Sequence, residues 1–432
     1  MIIPQFKLTQ DSKYVVAVIR IPYVKISNAE FYIEGRNFKF FLHPYLLSIE
    51  FKNDLFKSEE PAAASYNHDT YELTVKIQKA TEDEHFDDLD MITQLLAASR
   101  KKEIKKPEQK KNKKPLIEVI GEADHTEQTN SDEIEEIKQQ VENLVLSQDA
   151  YAYGFNQQVK GYFQDLGEEI FEIGHFNPDE IPIKDRINLR NEYVNSKFDE
   201  DAYIYDTFEN EEIESYIKLN LEFLTKVASI NQDTSSSYSP EEWNQLKKLP
   251  NKEFIINNKN KCLIEIVDIL FAFTYELRCM GGEFSCESAA TINYLSSVLS
   301  CFICDNTLNE VIKQCYRRAL TFPMLRNFKL IQQAQKDLGI ILSSGRAGVL
   351  KTLLQIKYLF EVNEPRYHLN NLYIEDFCIW VQTLKDEDFK NLAQQIQQIE
   401  INKKDLDLNL VEIDQDCEEM LREQQESDEH NN

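Results

Sequence analysis

Glycine is scarce, at 11 of 432 residues. A long run of tight hairpins or a phosphate-cradling loop enzyme is therefore not expected. The pattern G-x-x-x-x-G-K-S/T is absent, as is the strained G-x-S-x-G elbow. Gly281–Gly282 stands alone, a turn signal rather than a dinucleotide fingerprint. The seven histidines (His43, His68, His85, His125, His175, His368 and His430) are scattered, and no two sit four apart on a helix face. Long apolar runs are missing too. The most apolar stretch, Leu263–Phe273, contains Glu265 and Asp268 and is too short to span a bilayer, so no membrane partner is expected. Met1–Ser12 has no basic start followed by an apolar core. With eight cysteines, that predicts a reducing compartment and free thiols.

What remains is globular material, 42% apolar and 11% aromatic, with room for two or three domains. Residues 1–98 read as β. Tyr14–Ile21 is a β-branched run, and Phe31–Leu42 folds as a hairpin about Glu34–Gly35–Arg36. Tyr71, Leu73, Val75 and Ile77 alternate with Glu72, Thr74 and Lys76, the period of a half-buried strand. Asp88–Ala98 predicts a short closing helix. Residues 99–147 are charged: eight lysines from Lys101 to Lys114, then an acidic stretch, which together read as a disordered linker.

Residues 148–400 carry helical periodicity. Leu350, Leu353, Leu354 and Tyr358 share one face. Ser239–Pro240–Glu241–Glu242 is a helix start, and Leu249–Pro250–Asn251 ends that helix. Residues 401–432 form an acidic tail expected to fray. Val411–Asn432 holds nine acids against Arg422. The fold class is thus α+β multidomain, an N-terminal all-β sandwich followed by an all-α domain.

The formal net charge of -27 disfavours nonspecific nucleic-acid binding and favours a basic partner, or simply keeps the chain soluble. Two basic islands interrupt it. The lysine run fits a nuclear import signal, a plain linker or an RNA-binding arm, though it has no aromatic stacking platforms. Val311–Lys357 holds nine lysines and arginines against Asp337 alone, so it needs an acidic partner. The acidic tail or Phe198–Tyr205, another protein's acidic surface, and RNA phosphate all fit. Cys301–Phe302–Ile303–Cys304 has no second pair to complete a zinc site. It lies in a run that reads as apolar helix, where cysteine packs as a small hydrophobe, and redox chemistry is the other reading. No metal, cofactor or catalytic residue is expected.

Several short stretches resemble one family. Ile21–Pro22–Tyr23–Val24–Lys25, Phe38–Lys39–Phe40–Phe41, Pro44–Tyr45–Leu46 and His85–Phe86–Asp87–Asp88–Leu89 resemble the CS-type sandwich of the Shq family of box H/ACA ribonucleoprotein assembly factors. Tyr153–Gly154–Phe155 with Gly161–Tyr162–Phe163, Leu249–Pro250–Asn251–Lys252–Glu253, Val267–Ala272, Glu287–Ser288–Ala289, Arg317–Arg318–Ala319–Leu320 and Asn371–Leu372–Tyr373–Ile374 follow in family order. The resemblance implies a non-enzymatic chaperone that holds the RNA-free pseudouridine synthase, dyskerin or its equivalent, in place of RNA. It further implies release by RuvB-like AAA+ ATPases, no direct guide-RNA binding, and residence in nucleoplasm and cytoplasm. The alternative is a CS-domain co-chaperone or scaffold of the heat-shock machinery.

Aromatic and charged residues inside those motifs, taken to be exposed, are the candidate partner-binding positions. They are Tyr153, Phe155, Lys252, Arg317, Arg318, Arg346 and Tyr373 in the helical part, and Tyr23, Lys25 and Tyr45 in the sandwich.

Overall fold

The computed structural model describes residues 3–21, 29–43, 45–58, 60–67, 70–96, 150–164, 166–230 and 238–430, with backbone only at 209 and 424–430. The expected linker and its lysine run lie outside these residues, as do Tyr23 and Lys25. The chain divides into two compact units, Met1–Ala150 and Tyr151–Asn432.

The first unit holds two antiparallel sheets. One has the order β1 (Gln5–Gln10), β2 (Tyr14–Arg20), β7 (Glu72–Gln78), β6 (Ala63–Asn67); the other runs β3 (Glu30–Glu34), β4 (Asn37–Leu42), β5 (Tyr45–Glu50). Alternation sets the core. Val15, Ala17 and Ile19 pair with Ile77, Val75 and Leu73 across β2 and β7, and all six are at most 1% exposed. Phe38 and Phe40 pair with Ile49 and Leu47 across β4 and β5, fully buried. The predicted hairpin turns at Gly35, whose φ of 57° suits glycine. Tyr71 departs from expectation. It sits in the turn before β7 at φ 58°, more than a third exposed, and does not continue the buried face. The closing helix is described as a single stretch, residues 92–96. Lys79 is a buried lysine that the sequence did not advertise; its ammonium donates to Gln10 Oε1 (3.0 Å) and to the carbonyls of Asp11 and Glu84 (both 2.7 Å).

The second unit is helical: α1 (Ile170–Ile173), α2 (Ile183–Lys197), α3 (Glu200–Ile204), α4 (Ile213–Lys218), α5 (Glu222–Ser229), α6 (Pro240–Lys248), α7 (Lys259–Cys279), α8 (Ser288–Leu295), α9 (Ser297–Cys301), α10 (Leu308–Ala319), α11 (Phe328–Ser343), α12 (Gly345–Glu361), α13 (Tyr367–Leu369), α14 (Glu375–Val381), α15 (Asp386–Gln398) and α16 (Leu410–His430). Helix α7 is buried on all sides from Cys262 to Cys279 save Ile264, and packs on α8, α10 and α11. Helix α11 in turn meets α12 and α15. A helix buried around its circumference belongs in the middle of a bundle. None of the described helices is long and apolar enough to cross a membrane.

Helix α6 starts as the sequence predicted. Ser239 Oγ accepts from Glu242 N while Glu242 Oε2 accepts from Ser239 N, and Pro240 takes the first turn. The expected face of α12 is correct for Leu350, Leu353 and Leu354. Tyr358, however, is half exposed, because the buried stripe drifts around the helix to Ile356 and Phe360. The acidic tail differs most from expectation. It is helical over Leu410–His430, and Leu410, Ile413 and Cys417, spaced three and four apart, are buried. Asp414 on the same face accepts from Tyr203 Oη (2.8 Å) and Lys403 Nζ (2.5 Å), so the start of the tail belongs to the bundle.

Candidate partner-binding surface

The motif residues chosen for exposure lie mostly inside. Tyr153 is 1% exposed; its hydroxyl donates to Asp179 Oδ1 (2.9 Å) and accepts from Tyr162 N (2.7 Å). Asp179 also collects the amides of Gly161 (2.7 Å) and Phe163 (3.1 Å). Burial, then the Asp179 hydrogen bond, pushes the Tyr153 hydroxyl well above its ordinary pKa. Phe155 packs edge-on against Phe254 (4.8 Å) and Phe377 (4.9 Å). Tyr373, 2% exposed, accepts the Gly154 amide. Two motifs far apart in the chain thus meet in one interior cluster. Asn156 extends it, donating to Ile255 O (2.9 Å) and accepting from Asn257 N (3.2 Å), which ties down the segment before α7.

Arg317 and Arg318 are interior as well, at 3% and 0% exposure. The Arg318 guanidinium donates to the Tyr294 and Leu295 carbonyls and to Ser300 Oγ (2.6 Å), and it faces His175 Nε2 at 3.0 Å. Arg317 donates to Asn195 Oδ1. The expectation of exposure therefore fails for Tyr153, Phe155, Arg317, Arg318 and Tyr373. A planar guanidinium or a phenol enters a core once carbonyls and carboxylates satisfy it, and helical spacing does not reveal those acceptors. Lys252 is exposed and paired with Asp376 (2.6 Å). Arg346 is half-buried on Asp386 (3.2 Å), and Tyr45 is half-buried at the start of β5, opposite Leu42 of β4.

The basic segment has its acids within the chain. Lys313 pairs with Asp407 (2.9 Å), Lys351 with Glu242 (2.6 Å), Arg346 with Asp386, and Lys357 with Glu375 (3.3 Å). Asp407 belongs to the acidic tail, one of the two internal candidates the sequence offered, though it precedes the terminal helix; Glu242, Asp386 and Glu375 lie in neither the tail nor Phe198–Tyr205. The segment builds α10, α11 and α12, the middle of the bundle, so most of its positive charge is drawn inward, while Lys329 and Lys336 stay exposed.

Three arginine sites that the sequence did not single out hold the unit together. Arg186, 0% exposed, uses all five donors on carbonyls: Ile181 (3.0 Å), Ala152 (2.9 Å), Phe302 (3.1 Å), Tyr151 (3.0 Å) and Pro178 (2.8 Å). Arg190 forms a two-pronged pair with Asp305 (2.6 and 3.2 Å). Arg278 meets Asp337 at 2.5 Å and three carbonyls from Tyr216 to Leu219. The one sequence signal was an arginine at every fourth position, 186 and 190, on a helix of little apolar character.

Cys301 ends α9, because Phe302 turns left-handed at φ 52°; the pair does not lie in one helix as expected. Both thiols are buried and free, and burial raises the Cys304 pKa strongly. Among the described residues no group of His, Cys, Asp and Glu is placed to hold a metal.

With most of these bases drawn inward, exposed carboxylates dominate the outside. Asp199, Glu200 and Asp201 open α3, and Glu412, Asp416, Glu418, Glu419 and Glu423 line α16. The two sets adjoin: Asp414, Asp416 and Glu200 all act on Cys417 and, after burial, raise its pKa. This surface is chemically suited to a cationic partner and repels phosphate.

The SHQ1-like CS domain matches residues 3–96, and the SHQ1 protein Shq1 domain matches residues 227–410. The Xenopus tropicalis protein SHQ1 homolog is 33% identical over 428 residues, covering 96% of this chain and 69% of its own. The chain belongs to the SHQ1 family. The Mus musculus SHQ1 homolog is 33% identical, with 96% of this chain and 75% of its own covered. Schizosaccharomyces pombe protein shq1 is 28% identical over 98% of this chain and 97% of its own. SHQ1 membership supports a role in assembling box H/ACA ribonucleoproteins.

Proposed function

We propose that this chain holds the RNA-free pseudouridine synthase of the H/ACA particle, a dyskerin-type enzyme, until guide RNA replaces it. The observation that carries the reading is the separation of charge in the helical unit. Four bases of the basic segment pair with Asp407, Glu242, Asp386 and Glu375, while exposed acids gather on α3 and α16, where Arg422 meets Glu418 (3.4 Å). An RNA-binding enzyme presents cations spaced for phosphates, and a carboxylate surface competes for the same cations. Such a holder needs no catalytic group. On this reading the chain acts in nucleoplasm and cytoplasm, and an ATP-driven machine of the RuvB-like class separates the complex.

The test is a binding measurement with purified synthase across a salt series, then competition with guide RNA. A complex of one chain with one synthase is expected, weakening as salt rises and displaced by RNA. Simultaneous binding of RNA and this chain without competition would overturn the placeholder reading.

A further inference from the structure

The acids of α3 and α16 do not exhaust the exposed features of the helical unit. Four large apolar side chains lie bare at another corner. Phe171 of α1 is 60% exposed, Tyr358 and Val362 at the end of α12 are 50% and 68%, and Tyr367 at the start of α13 is 40%. Tyr358 and Val362 stand one helical turn apart on the same face.

Buried Arg366 joins these elements rigidly. Its guanidinium donates to Glu172 O (3.0 Å) and to Asn363 Oδ1 (2.9 Å) and lies over the Tyr294 ring at 5.7 Å. Tyr294 Oη also donates to Glu172 O (3.2 Å), and Asn363 Nδ2 donates to Cys286 O (3.1 Å). Residues 171–172, 286–287 and 362–367 are thus fixed against one another through these hydrogen bonds.

The rim is acidic. Glu168, Glu169, Glu172, Glu287 and Glu364 are exposed and form no ion pair among the described residues; Glu361 is exposed and meets Lys357 at 3.7 Å. Arg366 is the cation beneath, and its guanidinium donates to the neutral Glu172 carbonyl and Asn363 amide. An apolar centre ringed by carboxylates is the arrangement of a protein interface, not of a solvated surface.

We propose that this corner is a docking surface for a basic segment of the held enzyme, one whose apolar side chains seat on Phe171 and Val362 while its lysines and arginines meet the glutamates. The proposal rests on the holding function above and assigns it a face. A nucleic-acid occupant is disfavoured by the same carboxylates.

The experiment compares full-length chains in binding to the synthase at about 0.15 M salt, where charges are screened over about 8 Å, and then across a salt series. Phe171→Ala/Val362→Ala is expected to weaken the complex about tenfold or more. Glu169→Lys/Glu364→Lys is expected to weaken it and flatten its salt dependence. Met324→Ala removes an equally bare side chain, 78% exposed, elsewhere in the unit and is expected to bind as the parent does. Melting curves of all variants should match the parent, since none of these side chains is buried. If the parent binds and both double variants bind within about twofold of it, or if Met324→Ala weakens binding as much, this docking surface is wrong. If the parent chain itself fails to bind, the holding function falls and the surface with it.

Discussion

The Gly154 amide donates to the Tyr373 hydroxyl at 2.9 Å, joining positions 219 apart in the chain. It is the link between the first loop of the helical unit and the turn that precedes α14. Tyr373→Phe keeps the ring and leaves a buried amide without its acceptor, at a cost of about 1–3 kcal/mol. Gly154→Ala should cost more. At φ 75° the backbone strains any side chain, and a Cβ there would sit 2.8 Å from Val159 Cγ2. Denaturant titrations should rank the two in that order, with both variants losing partner binding only in proportion to unfolding.

Arg186→Lys is expected to be the harsher change. A lysine has three donors on a flexible stem and cannot reproduce a five-donor fork, so several buried carbonyls lose their partner. A loss of about 3–5 kcal/mol is expected, read as a lowered denaturation midpoint of the helical unit. A variant as stable as the parent would remove Arg186 from its structural role.

The sequence revealed the frame better than its contents. Alternation at Leu73, Val75 and Ile77 and the Ser239–Glu242 cap depend on neighbours in the chain, and both stand as expected. Arg317, Arg318 and Tyr153 were misjudged because their acceptors, such as the Tyr294 carbonyl and Asp179, come from remote segments. The Val311–Lys357 charge was visible as an excess, but its partners at 242, 375, 386 and 407 were not. Ion pairing across helices is a property of packing, and periodicity reports only which face turns inward. The exposed corner at Phe171 and Val362 gave no sequence signal at all, since single apolar residues on short or polar elements are commonplace.

Removing residues 411–432 should destabilise the helical unit by about 2–4 kcal/mol, through lost burial of Ile413 and Cys417. Tyr203 and Lys403 would also lose their bonds to Asp414. Truncation after Glu423 should leave the melting midpoint unchanged, because the anchoring residues remain. Equal stability of the two truncations would contradict the packing of α16.

His175 and Glu265 should give opposite pH slopes. Burial, then Arg318 and Lys197, lowers the His175 pKa to about 2, and the ring lies 4.0 Å from that of Tyr193. The unfolded histidine takes up a proton below about 6.5 while the folded one does not, so stability falls as pH drops through that value. Burial raises Glu265 to about 8. Its unfolded form ionises above about 4.5, so its contribution declines as pH rises from there to about 8. Denaturation midpoints between pH 5 and 8 should lose the first slope in His175→Asn and the second in Glu265→Gln. Parallel profiles for parent and variants would count against both assignments.

Arg186 addresses only backbone oxygens, those of Tyr151, Ala152, Pro178, Ile181 and Phe302. Every residue type carries such an oxygen, so this site makes a one-sided demand on heredity. In a saturation library, position 186 should tolerate almost nothing. Tyr151, whose side chain is more than a third exposed, should accept many replacements without disturbing the arginine that grips its carbonyl.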